Sequence, residues 1–458
     1  MKQRNLLLAG RPRDALNVTC TANPAKSGSV SLVVYAASAC FLLQSMSFFG
    51  VIDKLVYGPV SFGRGGNEIT VTVNLLGICV SIFLFWTGMR KTAVARFNKV
   101  LPLLAASLLL VSALWSVQPM LTLTQGTAYF FVVVGAIGIV QAVDRDDLID
   151  LFSWACALSA VASLLWQFVL SPAPAFDGME PDFAGIFTQK NVLGQVMAGG
   201  VLGALHGLRV GKGRFRSICI IALCTTVAFL SQSSTAMVVI AALLCFDFLG
   251  RLYFKGNASR AISICLFISC FLALFWLSAN EDLIWEFLGK DATLTGRTQL
   301  WLYVIDSISE KPLFGWGFAA FWVPGNPVAL QIGDAVNWTV VSAHNGLLGL
   351  LLDIGVVGAS LFIFLWARNL VMALRCMNGP AQQFGLTSVL LLMTILLIAT
   401  SEQVLLSPQH IWTALFFMTG FICEKELRLT VGVSRPKITS PATRRAVATS
   451  GSRSPLGR

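Results

Sequence analysis

Four short segments of the chain gather side chains that can move protons or hold anions. His344 heads a run that, after Asn345, stays apolar to Gly358 except for Asp353. An imidazole at the mouth of an apolar helix can exchange a proton near neutral pH while the helix fixes its position. Arg297 follows Leu294-Thr295-Gly296 and precedes Leu300, Trp301, Val304, Ile305 and Ile308, a stripe at helical spacing that suits an amphipathic helix lying on the membrane face. Thr295 is the expected N-cap, and Lys311-Pro312 with Gly315 and Gly317 ends the element. A helix N-terminus does not stabilise a cation. Arg297 there points either to an anionic partner or to a carboxylate of its own loop, Asp291, Asp306 or Glu310. Lys190 and Asn191 open a third helix, where free N–H groups beside a lysine make a phosphate-binding corner; interfacial snorkelling is the plainer alternative. The fourth segment, Leu230-Ser231-Gln232-Ser233-Ser234-Thr235-Ala236, can line a sugar or phosphate path or simply form a capped turn.

The remaining ionisable groups rank lower. His206 falls at the end of an apolar run and reads as structural, whereas His410 lies near Glu402 and can support a site without belonging to a motif. Asp353, nine residues after His344, sits about 900° round the helix and about 13 Å deeper. A carboxylate at that depth needs a partner, and the sequence does not name it. No His, Cys, Asp or Glu cluster has metal-ligand spacing, and no cofactor is expected. The eleven cysteines form no CxxC pair. They read as small packing residues rather than a disulfide framework.

The elements that hold these groups are membrane spans. Of 458 residues, 56% are hydrophobic and 12% charged, and the mean hydropathy is +0.75. These values exclude an ordinary soluble domain. Twelve apolar runs suit a hydrocarbon core of about 30 Å: 30–51, 69–88, 100–115, 123–141, 148–170, 191–208, 217–231, 234–250, 261–279, 345–367, 384–401 and 409–423. The polar stretch Ser231–Thr235 separates two of them, because burying it in lipid would be costly. The expected fold is therefore all-α and polytopic. A segment 1–29 precedes nine helices over 30–279, a large outward loop 280–344, three helices over 345–423 and a tail 424–458.

With both termini in the cytoplasm, 27 of the 33 lysines and arginines fall on the inner side. Only Lys54, Arg64, Lys190, Lys290, Arg297 and Lys311 face outward. That bias accounts for the net charge of +11 without nucleic-acid binding. No cleavable leader is read in the polar, basic first thirty residues, and the tail beyond Val431 reads as disordered.

Several of these segments together resemble the O-antigen ligase/polymerase family of bacterial envelope enzymes. The matching stretches are GIFTQKNVLG (185–194), TGRTQLW (295–301) with KPLFGWGF (311–318), and AHNGLLGLLLDIGVVG (343–358). LSQSSTA (230–236) is similar to a segment of the exopolysaccharide-polymerising branch. Ligase-like members often carry an arginine where this chain has Asp182 and Phe183, and Lys190 before Asn191 looks closer to that same branch.

The resemblance implies metal-independent glycosyl transfer at the periplasmic face of the inner membrane. The donor and acceptor would be undecaprenyl-diphosphate-linked oligosaccharides, in contact with membrane lipid and with a chain-length or export complex. His344 and Arg297 would be catalytic, as base and as charge stabiliser. Lys190, Asn191, Arg297, Ser233, Trp301 and Asn345 would bind the diphosphate or the glycan. A ligase moving finished glycan onto lipid A core or protein, and a transporter of lipid-linked sugars, are the competing readings. Transporters set charges near the bilayer midplane in matching halves, whereas this chain collects them at one face.

Overall fold

The computed structural model describes residues 31–57, 68–91, 98–170, 183–279, 297–323 and 325–433. Every regular element among them is helical. In chain order they are α1 (Leu32–Ser45), α2 (Gly50–Tyr57), α3 (Glu68–Lys91), α4 (Val100–Val111), α5 (Pro119–Ala142), α6 (Arg145–Leu165), α7 (Lys190–Val210) and α8 (Arg214–Leu230). There follow α9 (Ser234–Tyr253), α10 (Asn257–Ala279), α11 (Arg297–Glu310), α12 (Pro327–Val336), α13 (Gly346–Met377), α14 (Gln382–Ala399) and α15 (Ile411–Val433). Thr295 and Asp291, the leading segment to residue 30 and the tail from 434 lie outside the described residues.

A helix occupies each of the twelve apolar stretches expected from the sequence. Among the described residues, seven helices are long and apolar enough to cross a membrane: Val71–Arg90, Pro119–Ala142, Arg145–Leu170, Ser234–Tyr253, Asn257–Trp276, Gly346–Met377 and Gln382–Ala399. Helices suit lipid because they satisfy their own backbone polar groups. The break between α8 and α9 falls at the polar stretch: Gln232 takes a left-handed φ of 52°, and the Ser233 side chain accepts from the Ala236 N–H to cap α9.

The bundle has an inner and an outer layer. Only 6% of the apolar window of α10 and 17% of that of α3 are buried, against 78% for α14. α7 is buried continuously from Leu193 to Gly207, and small residues let its neighbours approach. At Gly194 a Cβ would stand 2.5 Å from that of Ala236, so glycine brings the start of α7 against the cap of α9.

α13 is not the continuous helix that its apolar run suggests. Gly355 breaks it with φ 63° and ψ −172°, and the segment after α11 docks into the break. Trp316 N–H donates to the Leu352 carbonyl at 2.9 Å, and Gly317 N–H to that of Asp353 at 3.0 Å. In return, the N–H groups of Val356 and Val357 donate to the carbonyls of Pro312 and Leu313 at 2.8 and 3.2 Å. The groups that a helix break orphans are thus answered by the loop. A Cβ on Gly355 would meet the Leu313 carbonyl at 2.3 Å. KPLFGWGF and LLLDIGVVG are therefore two halves of one joint.

The same joint anchors a second small core of Leu300, Val304, Trp316, Phe321, Ile332, Ala343 and Leu352. Leu300 and Val304 are fully buried in it, so this part of the α11 stripe packs on protein rather than lying on a membrane. Leu302 and Ile305 face outward. α12, which no sequence signal singled out, completes this cap.

Candidate active site

The Glu402 carboxylate is the point at which four distant segments meet. It lies in the connection between α14 and α15, just beyond the end of α14. Asn191, the second residue of α7, donates its Nδ2 to Glu402 Oε1 at 2.7 Å across 211 residues of sequence. Arg297, the first residue of α11, places Nη2 3.8 Å from the same oxygen. His344 Nδ1 stands 3.7 Å from Oε2, an ion-pair distance rather than a hydrogen bond. The side chains of Arg297, His344 and Glu402 are 21%, 14% and 12% exposed, so the cluster is largely desolvated yet open at one edge.

A second layer holds these groups in place. Ser233 Oγ donates to Asn191 Oδ1 at 3.0 Å, which fixes the amide so that its Nδ2 faces Glu402. Thr235 and Ser401 hydroxyls lie 3.2 Å apart. Asn345 caps α13 by accepting from the N–H groups of Leu347 and Leu348 at 3.0 and 3.1 Å, while its Nδ2 reaches the Thr400 carbonyl at 3.5 Å. Trp301 Nε1 donates to the Ala343 carbonyl at 3.0 Å, tying α11 to the residue before His344. Gln403 Nε2 donates to Asp353 Oδ2 at 3.1 Å. The partner that the sequence left open for Asp353 is therefore the neighbour of Glu402.

Burial works against ionisation of Glu402, but His344, the Arg297 guanidinium and the Asn191 amide more than offset it. They hold its carboxyl below the usual carboxylate range. The ionised carboxylate can orient His344 and stabilise an imidazolium, as in other carboxylate–imidazole pairs. His344 itself has a left-handed φ of 46°, an uncommon backbone state for a non-glycine residue that is frequent at functional sites.

An apolar groove of about 410 Å³ starts at this cluster. Trp301, Asn345, Thr400 and Gln403 form its head, and Leu350, Phe362, Trp366 and Ile395 continue it between α13 and α14. Its head is polar and formed by residues next to those of the cluster, and the body suits a hydrocarbon chain.

The structure thus draws Arg297, His344, Asn191, Ser233, Trp301 and Asn345 to one locality. Ser233 is wholly buried and touches Asn191 rather than a ligand path. Lys190 is placed directly before Asn191, at the first residue of α7. The described ion pair of Arg297 is with Glu402, in the connection between α14 and α15; Asp291 lies outside the described residues. Sequence reasoning gave Glu402 only the role of neighbour to His410. The available signal was a lone carboxylate in a short connection between two apolar runs.

Residues 219–363 match a family model described as O-antigen ligase. The chain is also 25% identical, over 339 residues, to the exopolysaccharide production protein ExoQ of Rhizobium meliloti (strain 1021); the match covers 68% of this chain and 73% of that protein. The resemblance to the O-antigen ligase family holds. Within the O-antigen ligase match lie Ser233, Arg297, Trp301, His344 and Asn345. Asn191 and Glu402 fall outside its two ends, so the cluster joins the matched stretch to helices that flank it.

Proposed function

We propose that this chain is a membrane glycan polymerase. It joins undecaprenyl-diphosphate-linked oligosaccharide repeats into exopolysaccharide or O-antigen at the periplasmic face of the inner membrane, without a metal ion. The observation that carries this reading is the convergence of Arg297, His344 and Asn191 on Glu402 at the head of an apolar groove. A lipid-linked donor needs both ends of that arrangement. The similarity to an exopolysaccharide production protein supports polymer rather than single transfer.

In the proposed reaction, an acceptor hydroxyl oxygen bonds to the anomeric carbon of the donor. The bond from that carbon to the diphosphate oxygen breaks, and the electron pair leaves with undecaprenyl diphosphate. His344 takes the hydroxyl proton, and Glu402 steadies the resulting imidazolium. Arg297 and Lys190, with the N-terminus of α7, answer the charge growing on the leaving diphosphate.

The test is the purified chain in nanodiscs, supplied with lipid-linked repeat and EDTA. The expected result is a ladder spaced by one repeat, together with free undecaprenyl diphosphate. The family description, O-antigen ligase, favours a second reading: one transfer onto lipid A core and no ladder would replace the polymerase with a ligase. If the carrier is released in neither assay, both readings fall.

The reading also requires twelve crossings, with both termini cytoplasmic and α11 periplasmic. Ser309, exposed on α11, serves as the reporter. Ser309→Cys should react with an impermeant maleimide while the inner membrane is intact. Reaction only after that membrane is breached would overturn the orientation.

A further inference from the structure

Three polar ring atoms at the Glu402 cluster are buried without a hydrogen bond. His344 Nδ1 and Nε2 and Trp338 Nε1 are inaccessible and make no hydrogen bond. All three belong to two rings in contact: the Trp338 indole lies against the His344 imidazole, centroids 5.5 Å apart and planes at 52°. Trp338 comes to this place by a sharp reversal. Asn337 ends α12 with a left-handed φ of 61°, and Trp338 N–H returns to the Gly333 carbonyl at 3.2 Å. Native structures rarely leave buried donors and acceptors unpaired, and a cluster of them calls for an explanation. Neither ring lines the apolar groove, whose head Trp301 and Asn345 form, so this ring contact lies outside it.

We infer that Trp338 marks the entry of the acceptor saccharide. In the described state its indole covers His344. The incoming sugar displaces the ring, sets an apolar C–H face on it, and offers hydroxyls to the vacated partners. Chemistry identifies this ligand class. A flat amphipathic ring with one N–H, beside an imidazole, suits a neutral polyol with an apolar face. A diphosphate instead requires the cations at Arg297 and Lys190. This inference rests on the polymerase reading for the role of His344, but its central measurement does not.

That measurement is carbethoxylation of His344 by diethyl pyrocarbonate, followed by mass spectrometry on the full chain in nanodiscs. The wild type should react slowly and Trp338→Ala about tenfold faster, because the cover is gone. The lipid-free repeat released by mild acid from the host's own lipid-linked oligosaccharide is the probe. At millimolar concentration it should slow the reaction in Trp338→Ala far less than in wild type. In the polymer assay, Trp338→Ala should raise KM for acceptor and leave donor KM in place. Equal labelling of wild type and Trp338→Ala, or equal protection of both, overturns the proposal. Should the alanine variant not reach the membrane, Trp338→Phe keeps the ring and loses the N–H. It should then label like wild type but be protected about fivefold less well, the worth of one hydrogen bond; full protection would overturn the role of the indole. A wild type that is protected by the saccharide yet makes no polymer would fault the polymerase reading and leave the subsite standing.

Discussion

Two charged clusters sit at opposite ends of α7 and α9, and they are built differently. The first holds Asn191 at the start of α7 and Ser233 at the cap of α9. The other holds His206 and Arg209 near the end of α7 and Asp247 near the end of α9. In that second cluster Arg209 pairs with Asp247 and Thr387, and Arg251 Nε reaches Asp247 at 2.8 Å. Lys212 meets Asp147 at 2.5 Å, and Arg216 pairs with Asp150.

The two histidines sharpen the contrast. His206 has Thr387 Oγ1 at 2.7 Å on one nitrogen and Asp146 Oδ1 at 3.3 Å on the other. Both nitrogens of His344 lack a hydrogen bond, and its carboxylate stands off at 3.7 Å. Charges that only tie helices together close on one another. The charges around Glu402 are held near each other and left short of closure, as groups that meet a substrate in the proposed reaction would be. Incomplete pairing costs stability, and the cluster at Glu402 tolerates it because capped helices and the joint at Gly355 fix its residues independently.

The largest expected effect tests the open cluster. His344→Ala should lower turnover by about 10²–10⁴, with donor binding nearly intact and the protein still folded. Glutamine can donate a hydrogen bond but cannot act as a base at neutral pH, so His344→Gln should be as slow as the alanine variant. Near-wild-type turnover of His344→Gln, measured on purified protein with lipid-linked repeat, would exclude the base role. Arg297→Ala should likewise abolish polymer, and Arg297→Lys should recover little. Arginine presents a planar fork to a diphosphate where lysine presents a point charge. Full activity of the lysine variant would show that the fork geometry is irrelevant.

The closed cluster should answer in another currency. Removing one partner of a buried ion pair typically costs about 3–5 kcal/mol, and the side chains of Arg209 and Asp247 are only 2% and 4% exposed. Asp247→Ala should therefore lower the melting temperature and the yield in the membrane, while the surviving protein turns over at close to the wild-type rate. A specific loss of turnover at unchanged melting temperature would erase the distinction between the clusters.

The clusters also differ in how far the sequence announced them. Arg297, His344 and Asn191 were legible because each stands where an apolar period begins, so type and position spoke together. Glu402 was not, because a lone carboxylate in a short connection has neither period nor motif, and its meaning depends on segments that converge only in three dimensions. Gly355 misled for a related reason. A single glycine in an apolar run costs a helix only about 1 kcal/mol and need not break it. The break at Gly355 is stabilised by N–H groups of Trp316 and Gly317 that donate into it and by carbonyls of Pro312 and Leu313 that accept from it, about forty residues upstream in the same chain. The helices themselves were legible almost throughout, since lipid leaves a long apolar run few alternatives.

Ser233 provides the smallest and most discriminating effect, because it serves both a helix and the site. Its side chain caps α9 and holds Asn191. Ser233→Ala should cost about 1 kcal/mol of stability through the lost cap. It should also lower turnover about fivefold, the net worth of one hydrogen bond, because Asn191 is then free to turn from Glu402. The two roles separate in a double mutant. If Ser233 acts on the chemistry only through Asn191, then Ser233→Ala added to Asn191→Ala should lower turnover no further, while the stability loss from the cap persists. Turnover losses that multiply would mean that Ser233 reaches the reaction by a path other than Asn191, and the second layer around Glu402 would have to be redrawn.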